Sequence, residues 1–259
     1  MANARKEEKR PMEVRATQLA SLQATEACCT FAVHEIHALE IQNDPFGCER
    51  RWYEALIRPR GAYRHWSPGD FVDRLYHERP VTDTDLEVFH RVATWLLAQA
   101  MPTRVSINTH PESLTSSRFV ETAIEFQHRA FQAGHSICLE LIEFGRSQEQ
   151  TSLISNAQRL RRAGLLIALD DFGSRVNCFD LCAAGIVDLL KIDIGIISGV
   201  HIDRNHRAIV ESITTLGQGL GARIVAEGVE TKRQVDTLRA LEVDFAQGFH
   251  FHKPRVLEI

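Results

Sequence analysis

The stretch Leu166-Ile167-Ala168-Leu169-Asp170-Asp171-Phe172-Gly173 decides how the chain is read. Four apolar residues run into two adjacent carboxylates, and a Phe-Gly turn follows. Such a run reads as a strand buried on both faces, as in a parallel sheet. The two acids sit where that strand leaves the core. Adjacent carboxylates repel each other unless a cation lies between them, so the stretch alone reads either as a solvated acidic turn or as part of a cation site.

Outward from this stretch the same pattern repeats. Arg104 to Asn108, Ser136 to Leu141, Ile186 to Ile192, Ala222 to Ala226 and Val243 to Ala246 read as further strands. Helical spacing fills about 117–132, 148–163 and 204–219, and Glu230 with Thr231 begins another helix. Upstream, Ser67-Pro68-Gly69-Asp70 opens a short helix, and Asp83 or Thr84 caps a longer one through about Gln99. Phe31 to Ile41 and Arg51 to Pro59 read as the first two strands, joined through Gln42-Asn43-Asp44-Pro45-Phe46-Gly47. That link is too short for a parallel crossover, so these two strands are expected to be antiparallel. Eight strands mostly separated by helices predict an α/β fold, a modified (β/α)8 TIM-type barrel with an antiparallel first strand. Residues 1–29 are expected to be a polar tail and lead-in helix (at about 15–27), and residues 30–259 a single barrel domain.

Totals narrow the function classes. The 259 residues are 44% hydrophobic and 25% charged, ordinary globular values. A formal charge of −4 argues against DNA or RNA as a partner, since no basic excess is available to displace counterions. It leaves room for a small phosphorylated ligand held by local cations. Cys28, Cys29, Cys48, Cys138, Cys178 and Cys182 contain no Cys-x-x-Cys pair and do not suit a zinc site. Cys138 reads as a small core residue, and Cys178 and Cys182 as free thiols. Scattered thiols fit a reducing compartment, no stretch is long and apolar enough to span a membrane, and no signal peptide is visible, so a cytoplasmic protein is expected. The twelve histidines are dispersed, and none is assigned to a metal.

Glu54, Asn108, Glu140, Asp170, Asp171, Lys191, Glu227 and Gln247 lie in or at the ends of seven apolar runs. In a barrel the ends of the parallel strands converge on one face, which holds the site. Several carboxylates in one pocket need a compensating cation, and all-oxygen ligands select Mg²⁺ or Mn²⁺ over zinc. Two adjacent aspartates reach two metals, the arrangement that steadies both oxygens of a phosphoryl displacement. Lys191 suits a phosphate oxygen or an activated water. Glu54, Leu56 and Arg58 share one strand face, which is either a solvated edge or the wall of a polar site. In the second case Arg58 pairs a phosphate with its planar fork.

These residues resemble a known family. Glu54-Ala55-Leu56-Ile57-Arg58 matches the signature that names the EAL domain, a bacterial cyclic di-GMP phosphodiesterase. The likeness continues through Asn108, Glu140-Leu141-Ile142-Glu143, Asp170-Asp171-Phe172-Gly173, Lys191-Ile192-Asp193, Glu227-Gly228-Val229-Glu230-Thr231 and Gln247-Gly248, over about residues 30–255. The resemblance implies a barrel with a reversed first strand and a homodimer. It implies that Glu54, Asn108, Glu140 and Asp170 hold one metal, and that Asp170 bridges to a second near Asp171 and Glu227. Lys191 positions the attacking water, Glu227 is the candidate base, Leu56 and Arg58 contact substrate, and Gln247 supports the site. Glu143 braces the loop after Gly173, with Asp193 and Glu230 counted as further loop support. The reaction implied is hydrolysis of cyclic di-GMP to linear pGpG.

Two stretches depart from the family. Its first strand carries Gln-Pro, aligned here with Ile36 and His37, and its loop Thr-Gly-Tyr-Ser-Ser-Leu is replaced by Ser174-Arg175-Val176-Asn177-Cys178-Phe179. A working enzyme is therefore expected to be slow. The alternatives are a cyclic di-GMP receptor or a partner-regulating protein with little or no turnover.

Overall fold

The computed structural model describes residues 28–39, 51–142, 150–174 and 179–257. The lead-in helix expected at about 15–27, the turn at 42–47, Glu143, Arg175 and Cys178 lie outside the described residues. In chain order the elements are β1 (Cys29–Glu35), β2 (His37–Ala38), β3 (Arg51–Pro59), α1 (Pro68–Glu78), α2 (Val81–Leu97), β4 (Thr103–Thr109), α3 (Ser117–Gln132), β5 (Ser136–Leu141) and α4 (Gln150–Arg162). They continue with β6 (Leu166–Phe172), α5 (Phe179–Ala183), β7 (Leu189–Ile192), α6 (Ile194–Ile197), α7 (Arg204–Leu220), β8 (Arg223–Ala226), α8 (Lys232–Ala240), β9 (Phe245–Ala246) and β10 (Arg255–Val256).

The strands form one sheet in the order β10-β1-β3-β4-β5-β6-β7-β8-β9-β2. Strands β3 through β9 are mutually parallel. β1 runs antiparallel to β3, and β2 antiparallel to β9. Since β1 and β2 are consecutive and separated only by Ile36, one broken strand joins the first parallel strand to the last and closes the barrel. The expected single strand from Phe31 to Ile41 is thus split at Ile36, because its two halves pair with different neighbours.

Local sequence explains most element ends. On α3 the buried residues Phe119, Val120, Ala123, Phe126, Gln127 and Ala130 recur at helical spacing, and Gly134 follows with φ 80°. Thr231 caps α8 in a reciprocal box with Gln234. Asp203 caps α7 by accepting from the Asn205 and His206 amides. The second helix differs from expectation: α2 begins at Val81 behind Pro80, and Asp83 and Thr84 lie inside its first turns. Thr84 bonds back to the Pro80 carbonyl through both its amide and its hydroxyl.

Inside the barrel, side chains lie in layers. Ile36, Trp52, Cys138, Ala168, Leu189, Val225 and Phe245 form a buried apolar inner cluster. Two residues further along the same strands stand Glu54, Glu140, Asp170, Lys191, Glu227 and Gln247. The strand period of two therefore places a polar layer directly above an apolar floor. The helices cover the outer faces of the strands in a second, larger core.

One buried polar knot pins α2 to the strand ends. Asp85, 2% exposed, accepts from Tyr76 Oη at 2.7 Å, from the His110 amide at 2.8 Å and from Ser113 Oγ at 2.7 Å. Asp85→Ala strands three donors and is expected to destabilise the fold by about 3 kcal/mol. Asp85→Asn keeps an acceptor for two donors and turns its amide toward the Tyr76 oxygen, so its cost is expected to stay below about 1 kcal/mol. Chemical denaturation of the two variants checks the contrast; equal losses would overturn it.

Candidate active site

Lys191 is the hub of the polar layer. It is 1% exposed, and its Nζ lies 2.7 Å from Glu140 Oε2, 2.8 Å from Asp170 Oδ1, 2.8 Å from Glu227 Oε1 and 3.7 Å from Glu54 Oε1. Burial alone would lower its pKa, but Asp170, Glu140, Glu227 and Glu54 together raise it well above the ordinary lysine value. One ammonium faces four carboxylates, so the centre carries an excess of negative charge.

The carboxylates share that excess unequally. Burial opposes ionisation of Glu54, but Lys191 and the Gln247 and Asn108 amides outweigh it and hold its pKa below the usual carboxylate range. Asn108 Nδ2 donates to Glu54 Oε1 at 3.0 Å and Gln247 Nε2 to Glu54 Oε2 at 2.9 Å. Burial raises Glu140 to about 8, against the pull of Lys191 and with repulsion from Glu54 and Asp170. Burial also pushes Glu227 well above the usual range, against Lys191 and with Asp170 and Glu54 adding to the rise. Asp171 rises to about 6 through burial and the neighbouring charges of Asp170 and Asp193.

The adjacent aspartates reach one place through a break in the strand. On a regular strand, neighbours point to opposite faces. The β6–β7 register shifts between Leu169 and Phe172, and Asp171 has φ 49°. A left-handed conformation is uncommon for a residue with a Cβ, and Asp tolerates it better than most. The break brings carboxylate oxygens of Asp170, Asp171 and Glu227 within 4.8 Å of one another. After β8, Gly228 adopts φ 66° with Ile194 lying where a Cβ would stand, so only glycine makes this turn beside Glu227.

The donor set fits hard divalent cations. Asn108 Oδ1 and Glu140 Oε1 are buried without a hydrogen-bond partner among the described residues. Asp170 Oδ1 is in the same condition as regards hydrogen bonds: its 2.8 Å approach to Lys191 is a charge contact without hydrogen-bond geometry. Buried oxygens of this kind are costly unless a cation or water meets them. All are oxygen ligands, the chemistry of Mg²⁺ and Mn²⁺.

The remaining sequence candidates are placed as follows. Leu56 and Arg58 follow Glu54 on the same face of β3, and Arg58 Nη1 donates to the Ile57 carbonyl at 2.8 Å. Asp193 caps α6 through the Gly195 amide and stands beside Asp171. Glu230 is exposed, just ahead of the α8 cap, and is not drawn into the cluster. In the first strand the residue facing the pocket is His34, which pairs in register with Glu54. Ile36, aligned with the family's Gln, instead belongs to the apolar floor, and His37, aligned with its Pro, stacks on Phe251. His34 was not singled out from the sequence; its signal is the offset of two from Ile36, legible only once the register with β3 is known.

A closed α/β barrel with buried and half-buried carboxylates around one buried lysine is the class that the fold and site define. The family profile of the EAL domain matches residues 49–254, and the chain belongs to that family. It is 29% identical over 211 residues to a protein named probable cyclic di-GMP phosphodiesterase PdeG of Escherichia coli (strain K12), covering 79% of this chain and 41% of that one. It is 30% identical over 159 residues to the cyclic di-GMP phosphodiesterase RocR of Pseudomonas aeruginosa, covering 61% of this chain and 41% of that one. The chain thus spans about two-fifths of the length of these two curated relatives. The EAL domain of Xanthomonas citri FimX, solved in complex with c-diGMP, shares the fold with a TM-score of 0.80 over 96% of this chain and 98% of that one, at 19% identity. Among the described residues no helix is long and apolar enough to cross a membrane.

Proposed function

We propose that the chain is a metal-dependent phosphodiesterase that hydrolyses one bond of cyclic di-GMP to give linear pGpG. The observation that carries this reading is the broken end of β6, which gathers Asp170, Asp171 and Glu227 beside Lys191. Glu54, Asn108, Glu140 and Asp170 are the proposed ligands of one Mg²⁺ or Mn²⁺ ion. Asp170, Asp171 and Glu227 are those of a second. When bound, such ions neutralise the charge that develops on a phosphoryl group and lower the pKa of an attacking water. Lys191 orients that water and Glu227 receives its proton. Arg58 and Leu56 hold the substrate at the mouth, and Gln247 fixes Glu54 by donating to its Oε2.

The same reading includes a homodimer in a reducing cytoplasm. In support, a groove of roughly 490 Å³ beside the aspartate turn is lined by Phe172, Gly173, Phe179, Ile209 and Ile213. Phe179 and Ile209 in it are exposed, and an apolar face of this kind suits a second copy of the chain.

Purified protein is expected to convert cyclic di-GMP to pGpG with Mg²⁺ or Mn²⁺ and to stop on chelation. Ca²⁺ is expected to bind without supporting turnover well, because its looser geometry holds the reacting oxygens less in line. Full activity after exhaustive chelation would refute the reading. Tight binding of cyclic di-GMP with no pGpG would favour the second reading, a receptor with little turnover, for which the Ser174-Arg175-Val176-Asn177-Cys178 sequence is the specific support.

A further inference from the structure

We propose that Glu35, His37 and His252 form a second metal site, distinct from the acidic centre, that takes one Zn²⁺-type transition-metal ion at the seam where the barrel closes. A side-chain nitrogen from each histidine and a carboxylate oxygen of Glu35 lie within 4.8 Å of one another.

The backbone brings these residues together. His34 faces the interior, opposite Glu54, so alternation turns Glu35 to the other face of the strand. His37 follows two residues on, after the break at Ile36, and pairs with Ala246 of β9. His252 comes from the turn after Gly248, where its backbone N–H donates to the Gly248 carbonyl. The site therefore joins residues near one end of the described barrel to residues near the other.

Each ring has a nitrogen to offer. His252 Nδ1 lies 2.7 Å from the Phe251 carbonyl, which leaves Nε2 pointing at Glu35 Oε2, 3.6 Å away. His37 stacks on Phe251 with centroids 4.6 Å apart and meets the edge of His252 at 5.1 Å. Its Nε2 is buried without a hydrogen-bond partner among the described residues. A solvated surface histidine does not need such an arrangement, and a satisfied core histidine would have a partner.

The donor types choose the ion. Two imidazoles and one carboxylate are the ligands of zinc sites that keep a fourth position for water. This contrasts with the all-oxygen centre on the inner face, so the two sites select different metals. Ligand atoms around a tetrahedral zinc stand about 3.4 Å apart, given bonds of roughly 2.0–2.2 Å. The site must therefore contract, and His252 and Glu35 can move, with side chains 55% and 29% exposed. An ion there clips β1–β2 to the segment after β9. It stabilises by mass action to the extent that the closed barrel holds it more tightly than the unfolded chain does.

The test uses the whole chain with Zn²⁺ in the presence of excess Mg²⁺, which occupies the acidic centre. Equilibrium dialysis is expected to retain one zinc per chain, and thermal unfolding to shift upward by several degrees. Both effects are expected to persist in Asp170→Asn/Glu227→Gln and to fall at least about tenfold in affinity in His252→Ala and Glu35→Gln, given the weight of single ligands. His37→Gln is expected to behave in the same way; because His252 is exposed, its variant decides the matter if His37→Gln fails to fold. Zinc retention unchanged in His252→Ala and Glu35→Gln overturns the proposal. So does loss of zinc in Asp170→Asn/Glu227→Gln, which would place the ion in the acidic centre.

Discussion

Asp170→Ala is expected to abolish metal-supported hydrolysis, lowering kcat on the order of 10³-fold or more, while leaving the fold intact. Asp170 is the one carboxylate in both proposed ligand sets, and it also lies 2.8 Å from Lys191 Nζ. Its removal leaves Lys191 paired with Glu140 and Glu227 and relieves repulsion on both. The metal-free protein should therefore be as stable as the parent or about 1 kcal/mol more so. Glu54→Ala should lose hydrolysis as well but behave differently in stability. It strands the Asn108 and Gln247 amides that now donate to Glu54, at about 1 kcal/mol or more each. Turnover with Mn²⁺, Mn²⁺ stoichiometry and denaturation midpoints check the three parts separately. Substantial turnover in Asp170→Ala would sink the proposed role of this residue.

The barrel was legible because its signals are local and periodic. Apolar runs alternating with amphipathic helices carry their own period, and α3 and β5 fall on the expected residues. The reversed first strand followed from the length of one link. The register was not legible. His34 and Ile36 share the inward face, and which of them stands in the polar layer depends on which residue lies opposite Glu54; a shift of two residues would exchange the layers. The acidic centre could be assembled as a set of residue types, but not as a charge network. Nothing local to Lys191 announces that four carboxylates from four strands meet it. The twist at Asp171 was hidden too, because a bulge depends on the pairing of β6 with β7 and not on the Asp-Asp pair alone. The histidines were set aside as dispersed, and two of them converge only because the barrel closes between β1–β2 and the segment after β9.

Lys191→Met is expected to separate the lysine's pairing with the carboxylates from its proposed role toward the attacking water. Without its ammonium, Glu54, Glu140, Asp170 and Glu227 lose their shared cation while remaining buried or partly buried. Stability of the metal-free protein should fall by about 3–5 kcal/mol at neutral pH, the usual cost of stripping one partner from a buried charge pair. The sign of its pH dependence follows from the raised carboxylates. Glu140 and Glu227 already hold protons more tightly than in the unfolded chain, and they do so more strongly once the lysine is gone. The folded variant therefore binds more protons than the unfolded one, and its stability is present at low pH and lost as pH rises through neutrality. Divalent cations should restore the lost stability, since charge is what the centre lacks. They should not restore turnover: kcat is expected to stay about 10²–10³-fold down with substrate affinity changed much less, as for a group that acts on the transition state. Unfolding of the variant at pH 5.5 and 8, with and without Mg²⁺, reads the pairing, and kcat against KM reads the proposed role. A variant that Mg²⁺ returns to parental kcat would show that Lys191 is a counter-ion alone, and the attacking water would then need another partner.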